Sequence, residues 1–180
     1  VTLAAIKILR KDFPKLRVIS FGTMVPPLGN DVFDERIEFH HLLQQDKIRD
    51  IYGKCDVWIT ASISEGFNLP AMEAMACRSP VVSTKAGWPE EAIITGKNGE
   101  LVDVGDVTAL AEGAKRILSL SNKDWATMSE HAYKTVENST WDNSAILFEK
   151  ALKNACVRAQ KKEISGYCKD INSMGDINNE

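Results

Sequence analysis

Five short apolar runs punctuate the first 103 residues: RVISFG at 17–22, IEFHHL at 37–42, VWITAS at 57–62, PVVST at 80–84 and GELVD at 99–103. Runs that stay apolar, instead of alternating with polar residues, belong to strands covered on both faces. Helical periodicity lies between most of them. Residues 1–11 place Leu3, Ala4, Ile6, Ile8 and Leu9 at helical spacing and are closed by Pro14, and 46–54 turn Ile48 and Ile51 inward. A further helix is expected to about Arg78, a short one within AGWPEEAI, and one capped by Asp106 to about Leu120. Strands alternating with helices predict the α/β class, a Rossmann-like parallel sheet with helices on both faces and right-handed crossovers. Beyond residue 121 the chain reads as all helical, 123–137 and then 141 to about 161, with Ala145, Phe148, Leu152, Ala155 and Ala159 on one stripe. The segment PPLGNDVFDER at 26–36 reads as a loop, and 165–180, polar and aperiodic, as a disordered tail after a domain of 1–164.

Charge and composition exclude several classes. A net charge of −3 gives no basic footprint for nucleic acid. No apolar run approaches membrane-spanning length, and none has the order of a signal peptide. Cys55, Cys77, Cys156 and Cys168 are scattered, with no CxxC spacing and no histidine at ligand distance in sequence, so neither a metal site nor a disulfide framework is expected. Reduced cysteines in apolar surroundings favour the cytoplasm.

The stretch SEGFNLPAMEAMA, residues 64–76, sits where the strand VWITAS hands over to a helix. Parallel sheets bind ligands at the carboxyl ends of their strands, beside helix N-termini. Gly66 lets the backbone approach a ligand, and Pro70 suits the first helical position. The N–H groups of Phe67, Asn68 and Leu69 are then free to meet an anion at the positive end of the helix dipole, and a phosphate fits that place. Glu73, about one turn (~5 Å) further along the axis, suits ribose hydroxyls. Glu65, in the turn, suits the hydroxyls of a second sugar. The spacing matches a nucleotide-sugar: ribose, pyrophosphate, hexose. Packing alone accounts for Met72, Met75 and Ala76, and the two glutamates also favour the helix dipole simply by lying near its start. A glycosidase acid/base pair is another use of two carboxylates, but phosphate-receptive backbone between them would then have no role.

These residues resemble a family. EGFNLPAMEAMACRSPVV is similar to the E-x7-E signature of family 4 glycosyltransferases, the retaining enzymes of the GT-B fold, followed by their PVV strand. AGWPEE resembles their Gly-Gly-x-Pro-Glu loop, NGELVDVGDVTALAEGAKRIL their NG-x-LV segment and next helix, and NSTWD the start of their closing helix. The likeness covers about residues 1–153. It implies the C-terminal, donor-binding half of a GT-B fold, with Glu65 as the catalytic-site residue that orients the hexose, Gly66, Phe67, Asn68 and Leu69 on sugar and diphosphate, and Glu73 on ribose. Gly22, Thr23, His40 and His41, at two strand ends, would flank the base; adjacent strand residues face opposite ways, so at most one of the two histidines lines the site.

The resemblance also implies hexosyl transfer from a nucleotide diphosphate with retained configuration, without metal or other cofactor. The acceptor, a sugar or a lipid, would be held by an N-terminal domain, and an Arg/Lys phosphate clamp would precede Val1; the chain by itself is expected to be inactive. A GT-B sugar-nucleotide epimerase or phosphorylase, or a non-catalytic nucleotide-binding module, would share this domain. Asn68 stands where many relatives have glycine, and Arg78-Ser79 where many have glycine-threonine. A last expectation concerns the sheet. In the order 3-2-1-4-5-6 the strand before helix 1–11 would lie centrally, between RVISFG and VWITAS. The chain is therefore expected to be a fragment in which those two strands pair directly or receive a strand from elsewhere.

Overall fold

The computed structural model describes residues 1–24 and 36–161, so the readings of 26–35 as loop and of 165–180 as tail lie outside the described residues. Twelve elements follow in chain order: α1 (Thr2–Asp12), β1 (Val18–Gly22), β2 (Ile37–His41), α2 (Gln45–Tyr52), β3 (Trp58–Thr60), α3 (Leu69–Ala76), β4 (Val81–Thr84), α4 (Pro89–Ala92), β5 (Gly99–Val102), α5 (Val107–Leu118), α6 (Asn122–Val136) and α7 (Trp141–Gln160). Each apolar run forms its strand, and every strand pairing is parallel. Asp106 caps α5 as expected, its carboxylate accepting from the Ala109 N–H at 2.8 Å.

The strands do not form one sheet. They form two, β1–β2 and β3–β4–β5. Of the two expected alternatives, direct pairing of RVISFG with VWITAS does not occur: among the described residues β1 pairs with β2 and β3 with β4. Within each sheet the strand order, β1 beside β2 and β4 between β3 and β5, is that of the corresponding part of a doubly wound sheet.

Strand β4 organises the packing of residues 1–137, the first of two compact units. All four of its residues are buried, and successive side chains face opposite ways. Val82 packs on one face with Ala5 and Leu9 of α1 and Leu110, Ala114 and Ile117 of α5. Val81 packs on the other with Ala71, Ala74 and Met75 of α3 and Ala132 and Val136 of α6. Helices therefore cover both faces, as the apolar character of the strands requires. The β4–β5 contact is close: a Cβ on Gly99 would lie 2.4 Å from the Val81 carbonyl oxygen. Next to it Glu100, 2% exposed, receives Arg116 Nε at 3.1 Å and Nη2 at 2.5 Å on one oxygen. That fork offsets the cost of placing a carboxylate inside a strand.

Both departures from glycine noted above fall at the ends of α3, and both are left-handed. Asn68 precedes the helix at φ 75° and Arg78 follows it at φ 66°. Asparagine tolerates that region through its short polar side chain; an arginine does so less readily. Arg78 is held in place by α6: its guanidinium pairs with Glu130 and lies 4.3 Å above the Tyr133 ring, while its carbonyl accepts from Ser129 Oγ at 2.6 Å.

The second unit begins at Asn138, and its helix α7 is capped by Thr140, whose hydroxyl accepts from the Asn143 N–H at 3.2 Å. Phe148 and Leu152 of the expected stripe are exposed, as is Trp141. Among the described residues, no helix is long and apolar enough to cross a membrane.

Candidate functional site

Helix α3 starts at the carboxyl end of β3, and the turn between them carries most of the expected site. Asn68, 3% exposed, is the residue before the helix, and its Nδ2 donates to Thr60 Oγ1 at 3.3 Å. Leu69 takes the first helical position and Pro70 the second, one later than the sequence reading placed it. The shift has little consequence, since the first four N–H groups of a helix all lack intrahelical acceptors. The N–H groups of Phe67, Asn68 and Leu69 have no acceptor among the described residues. A Cβ on Gly66 would meet nothing within 4 Å, so packing does not demand glycine there.

The AGWPEE loop buttresses this turn. The Trp88 N–H donates to the Phe67 carbonyl at 2.9 Å, and the two rings stack with centroids 5.7 Å apart at 19°. Gly87 makes the approach possible: its φ is +72°, and a Cβ there would lie 2.9 Å from the Phe67 oxygen and 3.1 Å from Glu65 Cβ. Both conformation and space call for glycine.

The two carboxylates are held in the same way. Ser62 Oγ donates to Glu65 Oε1 at 2.7 Å, and the Tyr52 hydroxyl donates to Glu73 Oε2 at 3.0 Å. Glu65 Oε2 and Glu73 Oε1 have no protein partner among the described residues. Ser62 is itself fixed, its carbonyl accepting from Thr84 Oγ1 at 2.6 Å. Tyr52 is 1% exposed and packs edge-on against Phe21 at 5.7 Å and Trp58 at 4.7 Å. Burial first, and then the Glu73 carboxylate, push its phenol well above the usual range, so Tyr52 stays a donor.

Gly22, Thr23, His40 and His41 lie at the carboxyl ends of β1 and β2, with Gly22 opposite His41 in register. His40 Nε2 reaches Glu38 Oε1 at 3.0 Å, and His41 Nε2 reaches the Thr23 carbonyl at 3.0 Å. The rings therefore have different partners, as alternation along a strand leads one to expect. The structure thus gathers Glu65, Gly66, Phe67, Asn68, Leu69 and Glu73 in one turn and helix, and the other four at the edge of the neighbouring sheet. No hydrogen bond joins the two groups among the described residues.

Three contributors escaped the sequence reading: Tyr52, Ser62 and Trp88. Ser62, three residues before Glu65, left a local signal. Tyr52 left none, because it lies 21 residues from Glu73 in a helix read only for its inward isoleucines.

The description "Glycosyl transferases group 1" matches residues 2–135. The chain belongs to this family. A curated member, the D-inositol 3-phosphate glycosyltransferase of Corynebacterium urealyticum, is 36% identical over 100 residues, 56% of this chain and 23% of that protein. The chain thus spans about a quarter of that relative's length. Among solved structures, the C-terminal domain of a glycosyl transferase group 1 family protein from Francisella tularensis aligns at 26% identity with a TM-score of 0.65, covering 76% of this chain and 75% of that one. HepE of Anabaena, solved in complex with UDP-glucose, shares the fold at a TM-score of 0.60 and 20% identity, over 85% of this chain and 53% of HepE. The group 1 architecture accounts for the two-sided α/β packing, and these neighbours place it in the GT-B fold.

Proposed function

We propose that this chain is the donor-binding half of a retaining, family 4 glycosyltransferase, which moves a hexose from a nucleoside diphosphate to an acceptor. The observation that carries this is the paired arrangement around the start of α3. Three N–H groups without an acceptor among the described residues lie between two carboxylates, each with one oxygen fixed by a hydroxyl and the other without a partner among those residues. The N–H groups, with the helix dipole behind them, receive the diphosphate and stabilise it as it leaves. Glu73 Oε1 receives the ribose hydroxyls. Glu65 Oε2 receives hydroxyls of the hexose and orients it without attacking. Gly22, Thr23 and one of His40 and His41 flank the base.

In this reading no metal or resident cofactor takes part, and a preceding domain supplies the acceptor, sugar or lipid, together with an Arg/Lys clamp on the phosphates. The scattered cysteines support a reducing, cytoplasmic setting.

Calorimetry with uridine, guanosine and adenosine diphosphates and their hexose esters tests the reading, UDP-glucose first because HepE was captured with it. At least one pair is expected to bind; failure of all of them sinks the proposal. Glu65→Ala is expected to weaken the hexose ester by roughly 1.5–3 kcal/mol, the range for a hydrogen bond to a charged group, and the bare diphosphate hardly at all. An equal loss for both ligands would remove Glu65 from the hexose.

Tyr52→Phe isolates the positioning of Glu73. The ring and its aromatic contacts stay, while the hydroxyl is lost. Nucleotide affinity is expected to fall about 2- to 13-fold, corresponding to a hydrogen bond of roughly 0.5–1.5 kcal/mol. The preference for a ribonucleotide over its 2′,3′-dideoxy analogue should shrink by a similar factor. A purely structural Tyr52 would lower the melting temperature and leave that preference intact.

A further inference from the structure

Residues 62–66 carry Glu65 but belong to no helix or strand, and among the described residues none of them makes a backbone–backbone hydrogen bond. Glu73, by contrast, is fixed by its helix and by a buried tyrosine. The place of Glu65 is therefore set by side chains. Among the described residues, one hydrogen bond ties 62–66 to the rest of the chain: Thr84 Oγ1 donates to the Ser62 carbonyl at 2.6 Å. Ser62 Oγ in turn donates to Glu65 Oε1 at 2.7 Å.

Thr84 is a firm anchor for this link. It is the last residue of β4, the strand packed on both faces, and is 0% exposed. Thr60 of β3 stands opposite Ser83, so Thr84 lies one step past the end of β3, beside the chain that leads into the turn. Its own carbonyl accepts from Ser83 Oγ at 2.9 Å and from the Ala86 N–H at 2.8 Å. A β-branched side chain is stiff at χ1, so the hydroxyl keeps its aim. Gly87, three residues on, bounds the turn from the same segment, since a Cβ there would lie 3.1 Å from Glu65 Cβ. Glu65 is itself exposed, and a long side chain in that setting has rotamer freedom to lose whenever it is ordered. A bond that orders it in advance removes that loss from ligand binding.

We propose that Thr84 is the positioning residue for Glu65: through Ser62 it holds the carboxylate in one rotamer, and so sets how firmly the donor hexose is gripped, an assignment that builds on the reading of Glu65 as the hexose-facing carboxylate. Thr84 is buried and does not touch the hexose. Its influence is confined to the sugar, because the N–H groups of Phe67, Asn68 and Leu69 and the carboxylate of Glu73 are held by other contacts.

The test compares the full chain with Thr84→Val, which keeps the shape and loses the hydroxyl, and with Thr84→Ser, which keeps the hydroxyl. Three-bond couplings across χ1 of Glu65, read by nuclear magnetic resonance without ligand, are expected to report one rotamer in the unsubstituted chain and in Thr84→Ser, and averaging in Thr84→Val. In calorimetry the ratio of UDP-glucose to UDP affinity is expected to fall roughly 3- to 10-fold in Thr84→Val, within the range for one lost hydrogen bond, with UDP itself unchanged. Thr84→Ser is expected to restore the ratio. Ser62→Ala, at a half-buried position, breaks the second bond and is expected to free Glu65 too; adding Thr84→Val to it has no further effect, because both act on one link. A single Glu65 rotamer in Ser62→Ala would overturn the proposal even if Thr84→Val failed to fold. Averaged couplings in the unsubstituted chain would do the same, as would a lower melting temperature with equal losses for UDP and UDP-glucose, the mark of a merely structural threonine. If Glu65→Ala lowers the ratio and Thr84→Val does not, Thr84 has no part in gripping the sugar. Couplings that average in Thr84→Val while neither it nor Glu65→Ala moves the ratio would uphold the link from Thr84 to Glu65 and take the hexose away from Glu65 instead.

Discussion

Glu73→Ala is expected to weaken nucleotide and nucleotide-sugar alike, by roughly 1.5–3 kcal/mol, the range for hydrogen bonds to a charged group. That is a loss of about 10- to 150-fold in affinity, read by calorimetry. Equality across the two ligands follows from the place of Glu73 one turn into α3, on the ribose side of the proposed diphosphate. The same change has a second effect that a purely ligand-facing carboxylate would lack: it strips the buried Tyr52 hydroxyl of its acceptor. A buried hydroxyl without a partner costs about 1–3 kcal/mol of stability. Adding Tyr52→Phe to Glu73→Ala is therefore expected to restore the melting temperature while leaving nucleotide binding weak. Recovery of binding in the double variant would place the role of Glu73 in the fold and not in the ligand.

Gly99→Ala carries the largest expected loss of stability. The new methyl group would sit 2.4 Å from a backbone oxygen of the neighbouring strand, and backbone in a buried parallel ladder cannot swing aside as a side chain can. Overpacking of side chains costs about 1–3 kcal/mol, and a backbone clash lies at or above the top of that range. A fall in melting temperature of roughly 10 °C is expected for a unit of this size. Gly66→Ala supplies the contrast, since no atom approaches its missing Cβ. Its melting temperature should stay within a degree or two. If Gly66→Ala destabilises as much as Gly99→Ala, the distinction between a packing glycine and a ligand-facing one fails.

Strands and helices were legible because their signals are local. VWITAS and PVVST are apolar enough to mark buried strands, and Asp106 capped the helix that its position announced. The two-sheet arrangement was not legible in the same way. Whether RVISFG and VWITAS touch depends on what lies between them, and no pattern within either run encodes a neighbour's distance. The site divides along the same line. Glu65 and Glu73 could be singled out from a glycine, a proline and a spacing of eight, but the hydroxyls that aim them could not: Tyr52 reaches Glu73 across 21 residues of sequence. Likewise GELVD reads as a strand, but nothing in the run shows that Glu100 is buried and satisfied by Arg116, 16 residues on. Long-range pairings of polar side chains have no periodicity to betray them.

The left-handed residues at the two ends of α3 have a consequence for the unfolded chain. A glycine at either place would adopt the turn without strain but would surrender more conformational freedom on ordering than any other residue. Asn68 and Arg78 reverse that balance: each accepts some strain in the native turn and has fewer unfolded conformations to lose. The strain at Asn68 is met by Thr60, and that at Arg78 by Glu130, Tyr133 and Ser129. The turn before α3, proposed above to receive a diphosphate, is held by the Asn68–Thr60 contact with no ligand present. Less backbone entropy remains to be lost on binding, so more of each hydrogen bond formed there appears as affinity.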